Sequence, residues 1–510
     1  MSKNMKILLI QPYGSTQPPL GLCLLAAVLK KGGYSDIALV DLLRFDINVT
    51  SPIRTWDYLE KKLEEKPDAV LITGATPTFT EALEIAKMAR PHTKTVLVGG
   101  SHATIFKERI LEKVPYIDVV VYGEADETIC KIMESLQKEG NNNNLSGITG
   151  VCYRDKSGKI IKTEQTPPIM NLDNIPWPDR DIIDLDSYHG AFILLGSRGC
   201  PHACTFCSRP VTGATFRGRS PKNVVDEIDF LLNKYPETAR RINKTITFSD
   251  ENAAVDKQRL IGICDELIKR KLNIKFVLTN GLHVTSAHEE LYQKLAKAGC
   301  VSLWFGVEQG TDKMLKTIRK GATENLIKKA VRMAHEAGIP FVGGHFMIGV
   351  EEETLEDARH TIKFAKEAGF DATGWNHAAP TPGTPLWDYV MKHGKLLWEF
   401  EDVVNYSNFK HDHTEPQFET PEFTREQRKQ AYEEAIKMMD EVMRSKIMAP
   451  SNIAKFLRSS ITHPEDLPWA AKRLYNIHTK RDLRRHYDMK PSMKVKTREG
   501  KPFINADPYS

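Results

Sequence analysis

Cys200, Cys204 and Cys207 stand in a CxxxCxxC spacing inside the run Gly-Ser-Arg-Gly-Cys-Pro-His-Ala-Cys-Thr-Phe-Cys. Three thiolates this close along the chain can hold three corners of an iron–sulfur cube and leave the fourth iron open to a substrate or cofactor. That arrangement favours chemistry over electron storage. Zinc is the main inorganic rival, but structural zinc wants four protein ligands, and no second cysteine pair follows downstream. Cys23, Cys130, Cys152, Cys264 and Cys300 are scattered through helical or strand-like segments and suit the role of buried small hydrophobes. Without the density of a disulfide scaffold the chain reads as cytoplasmic, and an open cluster implies a reducing, anaerobic setting.

The elements that must position these thiolates belong to a large chain. At 510 residues it exceeds one ordinary core, so two or three domains are expected. An apolar fraction of 41% beside 27% charged residues suits a soluble globular protein. No run approaches the roughly 18 apolar residues of a membrane span, and the first ten residues lead into a strand rather than a signal peptide. A net charge of +5 is small for this length and does not imply nucleic acid.

The pattern is α/β throughout the first two domains. Lys6–Gln11, Ile37–Asp41, Ala69–Gly74, Thr95–Gly99 and Val119–Tyr122 read as strands, with Leu20–Lys31, Trp56–Glu65, Phe79–Ala89 and Asp126–Gln137 helical between them. Nearly all-apolar strands separated by helices imply a Rossmann-like parallel sheet covered on both faces, over residues 1–165, with a short hairpin through Val151–Thr163. Pro167, Pro168, Pro176 and Pro178 mark a linker over 166–189. A second series, over 190–395, has strands at Ala191–Leu195, Thr245–Phe248, Lys275–Thr279, Ser302–Gly306, Phe341–Ile348 and Ala372–Ala378. Helices such as Pro221–Lys234, Lys257–Lys269, Ala287–Ala298 and Glu324–Ala337 separate them. Such repeats predict a partial (β/α)6 barrel with ligands at the carboxyl ends of its strands. Residues 396–510 read as a mainly helical region able to carry substrate specificity, with Arg425–Arg444 its strongest helix.

The cysteine run, with Phe206 just before its last cysteine, resembles the cluster loop of the radical S-adenosylmethionine (SAM) enzymes. The resemblance implies a [4Fe–4S] cluster that binds SAM at its open iron and cleaves it to methionine and a 5′-deoxyadenosyl radical. Thr247–Asn252 resembles the family's acidic segment that receives the SAM amino group, with Asp250 and Glu251 as its carboxylates. Asn280 ends the third strand. Glu308 lies in a run similar to the family's Gly-x-Glu-Ser-Gly, with Gln309 in place of Ser, and is implied to reach a ribose hydroxyl or the amino group. Gly344, Ile348 and Gly349 belong to a segment that resembles the adenine-binding strand, with Val350 where a proline often follows. Arg217 and Arg219 are candidates to steady the SAM carboxylate or the cluster loop. His345 and His377 suit an acid, a base, a substrate contact or a structural role; no catalytic residue is assigned.

The amino-terminal domain resembles the cobalamin-binding domain of B12-dependent radical SAM proteins. Within that resemblance Thr76, Gly99, Gly100, Ser101, His102, Gly123 and Glu124 are implied to line the corrin and its nucleotide tail. The Asp-x-His-x-x-Gly motif for a lower histidine ligand is absent, as in members that bind the cofactor base-off. No GxGxxG with a suitable acidic residue and no Gly-x4-Gly-Lys-Ser/Thr occurs, which weakens nicotinamide and nucleoside triphosphate readings.

These features imply an enzyme that uses a [4Fe–4S] cluster, SAM and cobalamin to methylate an unactivated carbon. Radical cyclisation or other carbon–carbon bond formation in pigment or lipid biosynthesis is the alternative; an iron–sulfur redox sensor or interaction protein is the non-enzyme alternative. The expected partners are a small-molecule or lipid substrate and an external low-potential electron donor, with no nucleic acid. Lys446–Leu457 interleaves apolar and basic residues, as a peripheral membrane contact would. The basic run Lys480–His486 suits a phosphate, a lipid headgroup, RNA or a solvated helix. Trp387, Trp398, Tyr406, His411 and His413 are candidates to cap the barrel mouth. The oligomeric state is left open.

Overall fold

Alternation along the first strands decides how the amino-terminal domain is layered. In β1 (Ile7–Gln11), Ile7 and Leu9 pack with α1 (Leu20–Lys31) and α6 (Ile129–Glu139). Leu8 and Ile10 point the other way, into a second core with α2 (Thr55–Glu64), α3 (Phe79–Ala89), α4 (Ser101–Phe106) and α5 (Glu108–Lys113). The structure, a computed structural model, describes residues 3–12, 17–42, 55–139, 145–188, 190–397 and 415–447.

The remaining parallel strands are β2 (Ile37–Asp41), β3 (Ala69–Thr73), β4 (Thr95–Gly99) and β5 (Val119–Val121), in spatial order β2-β1-β3-β4-β5. An antiparallel hairpin, β6 (Val151–Arg154) and β7 (Ile160–Lys162), extends the sheet beyond β5, so the expected parallel sheet is mixed at one edge. The chain leaves β1 and β3 toward opposite faces, which opens a crevice at their carboxyl ends.

After a connector of short 3-10 turns, six parallel strands follow in sequential spatial order: β8 (Ile193–Leu194), β11 (Thr245–Phe248), β12 (Lys275–His283), β13 (Cys300–Glu308), β14 (Val342–Ile348) and β15 (Ala372–His377). Between β8 and β11 lies a two-stranded hairpin, β9 (Ser197–Arg198) and β10 (Arg217–Gly218). The covering helices are α7 (Pro221–Lys234), α8 (Pro236–Arg241), α9 (Lys257–Arg270), α10 (Glu289–Ala298), α11 (Asp312–Thr317), α12 (Glu324–Glu336) and α13 (Leu355–Glu367). Ser220, Asp256, Thr311, Thr323 and Thr354 cap the starts of α7, α9, α11, α12 and α13, each side chain accepting a backbone N–H of the first turn. After α14 (Pro385–His393) comes a small hairpin, β16 (Lys395–Leu396) with β17 (Phe418–Glu419), and then α15 (Arg425–Ile447), which packs on α13 and β15.

Two strands run longer than expected, β12 by four residues at its end and β13 by two at each end. β12 continues through Asn280 and Gly281 because a register shift against β13 lets the glycine, at φ 87°, carry the chain on instead of ending it. Conversely, α6 starts at Ile129 rather than Asp126. On the barrel sheet Leu303, Phe305, Val342, Phe346 and Ile348 face the helices, buried, while Ser302, Trp304, His345, Met347 and Gly374 alternate onto the inner face and stay partly exposed. No helix among the described residues is long and apolar enough to cross a membrane.

Candidate active site

The three cysteines lie on the loop between β9 and β10. Gly199 opens it at φ 82°, where a Cβ would sit 2.1 Å from the carbonyl oxygen of Thr215, so only glycine fits. The loop is pinned to the barrel: Thr205 donates to the carbonyl of Ile318 over 3.2 Å, and Leu386 donates to that of Thr205 over 3.1 Å. Phe206 packs against a small core of Met314, Ile318, Val350 and Leu386. Cys204 is buried, Cys200 half-buried and Cys207 exposed. Burial pushes the Cys204 thiol up in pKa while the Lys320 ammonium pulls it down. His202, inside the loop, stacks on His283 at 3.7 Å and 3°. Burial, with Lys320 nearby, holds His283 neutral, its pKa pushed down to about 3.

As placed, no three Cys, His, Asp or Glu side chains among the described residues form a ready metal-binding set. The donor chemistry nonetheless fits an iron–sulfur cluster. Three cysteines share one pinned loop, near enough to interact electrostatically, and two cations, Lys320 and Arg209, favour their thiolates.

The expected SAM residues ring the carboxyl ends of the barrel strands, but several side chains are engaged within the protein. Asp250 is buried; it accepts from the Gly196 N–H over 3.1 Å and from the Ser197 hydroxyl, so both its oxygens brace the turn that starts the cluster hairpin. Glu251 likewise accepts from the Gly199 N–H, over 2.7 Å, and from Thr212. Asn280 is exposed and donates to Ser249 and to the carbonyl of Asp250. Glu308, at φ 70°, pairs with Lys320 over 3.2 Å. Gly344 and Ile348 lie on the outer, helix-facing side: a Cβ at 344 would meet Phe346 and Phe370 at 3.0 Å, and Ile348 is core. Only their backbone can meet a ligand inside the barrel. Gln309 is fully buried, donating to the Met347 carbonyl over 2.8 Å, a strut rather than a substitute for the family's serine. Arg219 is held by Glu227 over 2.6 Å and Arg217 by Glu124 over 2.7 Å, so both guanidinium groups are already paired within the protein. His377 stacks on Tyr432 of α15.

In the amino-terminal domain Gly99, Gly100, Gly123 and Glu124 line a cavity of about 540 Å³. Gln11 and Thr73, at the ends of β1 and β3, share that wall; Ile193, Leu195 and Ser249 bring the strand ends of the barrel to it, and Trp177 of the connector also lines it. Gly123, at φ 76° with nothing within 4 Å of an added Cβ, leaves backbone open to a large ligand in this cavity, whereas Gly100 is required by its own turn. Gly100 has φ 100°, and a Cβ there would be 2.7 Å from the Gly74 carbonyl oxygen. Thr76 and His102 stand back from this wall. His102 is fully buried between Phe79 at 3.9 Å and Phe106 at 4.4 Å, its Nδ1 3.3 Å from Thr76 Oγ1, so it packs the core rather than reaching toward a ligand. Ser101 begins α4 and is half-buried.

Sequence reasoning missed the residues that join the domains. Arg198 and Arg217 of the cluster hairpin pair with Asp126 and Glu124 of the β5–α6 turn, and Glu124 also accepts from the Ile169 N–H over 3.1 Å. No local pattern signals such pairs, whose members lie 72 and 93 positions apart. Trp398, Tyr406, His411, His413, the part of Lys446–Leu457 from 448 onward and Lys480–His486 lie outside the described residues.

Comparison with known proteins bears on both halves. Residues 194–365 match the radical SAM superfamily and residues 6–133 the B12 binding domain. An uncharacterized methyltransferase of Pyrococcus horikoshii is 33% identical over 78% of this chain and 85% of its own length. The anaerobic magnesium-protoporphyrin IX monomethyl ester cyclase of Rubrivivax gelatinosus is 29% identical over 75% of this chain and 69% of its own. Among solved structures, the radical SAM methyltransferase TsrM from Kitasatospora setae, with cobalamin and a [4Fe–4S] cluster bound, superposes with a TM-score of 0.65 at 17% identity, covering 89% of this chain and 90% of that one. With the cysteine loop on an open six-stranded barrel and a glycine-lined cavity shared with the preceding sheet, the chain belongs to the cobalamin-dependent radical SAM enzymes.

Proposed function

We propose that the protein methylates an unactivated carbon of a small molecule, and that the cavity shared by the two domains is where both cofactor sites meet. The observation that carries this reading is the common wall: Gly99, Gly100 and Gly123 from one sheet, and Ile193, Leu195 and Ser249 from the other, line one space. A reduced cluster held by Cys200, Cys204 and Cys207 would supply the electron for reductive cleavage of SAM, and cobalamin would supply the methyl group.

The chain's own residues supply position and shelter. Cys200, Cys204 and Cys207 would hold the cluster on a loop braced by Asp250 and Glu251. Asn280, within β12 at its register shift, and Glu308, at the end of β13, would orient the polar groups of SAM. Gly123 lets backbone approach a corrin face. Leu20, Leu24, Leu25 and Trp177 give the cavity an apolar wall that excludes water from a reactive site.

Anaerobic protein carrying cluster and cobalamin, given SAM, reductant and a substrate, tests the reading. Methylation should release 5′-deoxyadenosine and S-adenosylhomocysteine in about equal amounts, because a second SAM restores the methyl group. Release of 5′-deoxyadenosine alone would favour cyclisation, the chemistry named for the Rubrivivax relative. No SAM cleavage by reduced, cluster-loaded protein would sink both.

A further inference from the structure

The inner face of the barrel carries two aromatic rings laid flat over two glycines. Trp304 of β13 and His345 of β14 stack at 4.6 Å and 23°. A Cβ on Gly343 would lie 2.4 Å from Trp304 Cδ2, so the indole rests directly on the backbone of β14. A Cβ on Gly374 of β15 would lie 3.1 Å from His345 Nδ1 and 3.7 Å from Trp304. The imidazole is fixed by a 2.8 Å hydrogen bond between its Nε2 and the carbonyl of Thr279. In a filled barrel this layer would be packed with bulky branched side chains. Here Thr279, Ser302, Gly343 and Gly374 are small, Phe341 packs beside the indole at 5.8 Å and Met347 follows His345 on the same face, and both rings keep part of their surface exposed.

From this geometry we propose that Trp304 and His345 form the floor of the substrate site, and that the substrate is an extended, planar, conjugated molecule of more than one ring. A flat π-surface fixed at this layer pays little conformational entropy to stack with another, and aromatic pairs prefer offset stacking. Length follows from the strand. Glu308 lies four residues beyond Trp304 on β13, at most about 13 Å at the rise of a strand because the register shifts between Gly306 and Glu308. A single small ring on the floor would leave its carbons far from the strand ends, whereas a flat multi-ring molecule reaches both. Asn376, exposed on the inner face of β15, is placed to meet a polar substituent. The inference rests on the radical SAM reading for where the reaction occurs, but not for whether the floor binds.

The test uses the full chain loaded with cluster and cobalamin, so that the shared cavity is filled, and 1-pyrenebutyrate as a fluorescent planar probe. The wild-type protein should bind it, and cyclohexanebutyrate should not compete. Trp304→Ala should weaken binding roughly tenfold and Trp304→Phe by less than about threefold. Gly343→Ala, which lifts the indole off the strand, should weaken it as well and decides the matter if Trp304→Ala does not fold. Unchanged pyrene binding in Trp304→Ala and Gly343→Ala, or equal competition by cyclohexanebutyrate, overturns the proposal. Release of 5′-deoxyadenosine by the wild-type protein is scored separately: its absence beside Trp304-dependent pyrene binding sinks the enzyme reading and leaves the floor standing.

Discussion

Arg198 donates from both terminal nitrogens to the two carboxylate oxygens of Asp126, each over 2.9 Å, across the boundary between the two domains. Arg198 lies two residues before Cys200, and Asp126 ends the run Gly123–Asp126 that lines the shared cavity. Both side chains are less than a tenth exposed, and the Arg217–Glu124 pair at 2.7 Å lies beside them. A bidentate fork fixes angle as well as distance, so the cluster hairpin and the cavity wall move as one unit.

Asp126→Asn removes the bidentate partner of buried Arg198 and leaves it only the longer 3.5 Å contact to Glu124, which Arg217 already shares. Breaking a buried pair from one side typically costs about 3–5 kcal/mol. The expected outcome is looser docking of the domains, read as faster proteolysis in the connector over 166–188. Product formation should fall more than 5′-deoxyadenosine release, since the cluster site survives while its alignment with the cavity does not. Equal loss of both would assign the pair a purely structural role.

Gly100→Ala and Gly21→Ala separate backbone strain from crowding. Both glycines line the cavity. At Gly100 a Cβ meets the Gly74 carbonyl oxygen at 2.7 Å with φ at 100°, whereas at Gly21, inside α1, it meets nothing within 4 Å. Gly100→Ala should lose roughly 1–3 kcal/mol of stability. Gly21→Ala should be neutral or gain up to about 1 kcal/mol from helix propensity. Thermal unfolding of the two variants, with the cobalamin retained per chain, checks both.

The strands were legible because parallel sheets buried on both faces leave near-continuous apolar runs, and β2, β4 and β11 begin and end where those runs do. The cluster loop was legible because its three thiolates are adjacent in sequence. What the sequence hid is the set of long-range partners. Nothing local marks Asp250 as the brace of Ser197, Gly344 as the seat of Phe370, or Arg198 as the partner of Asp126. A motif names a strand end; which face each residue takes depends on register, and a one-residue change reverses it. Gly344 and Ile348 fell on the outer face for that reason.

Glu81, in the first turn of α3, gives the amino-terminal domain a pH dependence. Burial pushes its carboxyl up to about 7 from an ordinary 4.5, with Glu84 adding to the rise. Between those pH values the native state holds more protons than the unfolded chain, so stability falls as pH rises and the full cost is present above 7. A shift of that size is worth roughly 3 kcal/mol. Glu81→Gln should flatten the profile, raising the melting temperature at pH 8 and changing it little at pH 4.5. An unchanged slope between pH 4.5 and 7 would remove Glu81 as its source.

Arg428 ties the last described helix to the strand end implied to hold adenine. It is 1% exposed on α15, its Nε donating to the Phe423 carbonyl over 2.9 Å and its Nη1 to the Gly349 carbonyl over 3.0 Å, with its guanidinium 4.1 Å from the centre of the Phe418 ring. Gly349 is at φ 92°, and a Cβ there would be 2.0 Å from Nη1. The buried Glu353 accepts from the Val350 N–H over 3.0 Å on the other side of the turn. The turn is therefore gripped from both sides. Arg428→Lys keeps the charge but cannot reach both carbonyls with one ammonium in the guanidinium's geometry, leaving one buried acceptor unpaired at about 1–3 kcal/mol. If this turn presents backbone to SAM, the KM for SAM should rise severalfold to tenfold, with a smaller change in kcat. If Arg428 only staples α15 to the barrel, stability alone falls and the KM for SAM stays at its wild-type value, so the split between KM and kcat decides what the carboxyl-terminal helix does for the site.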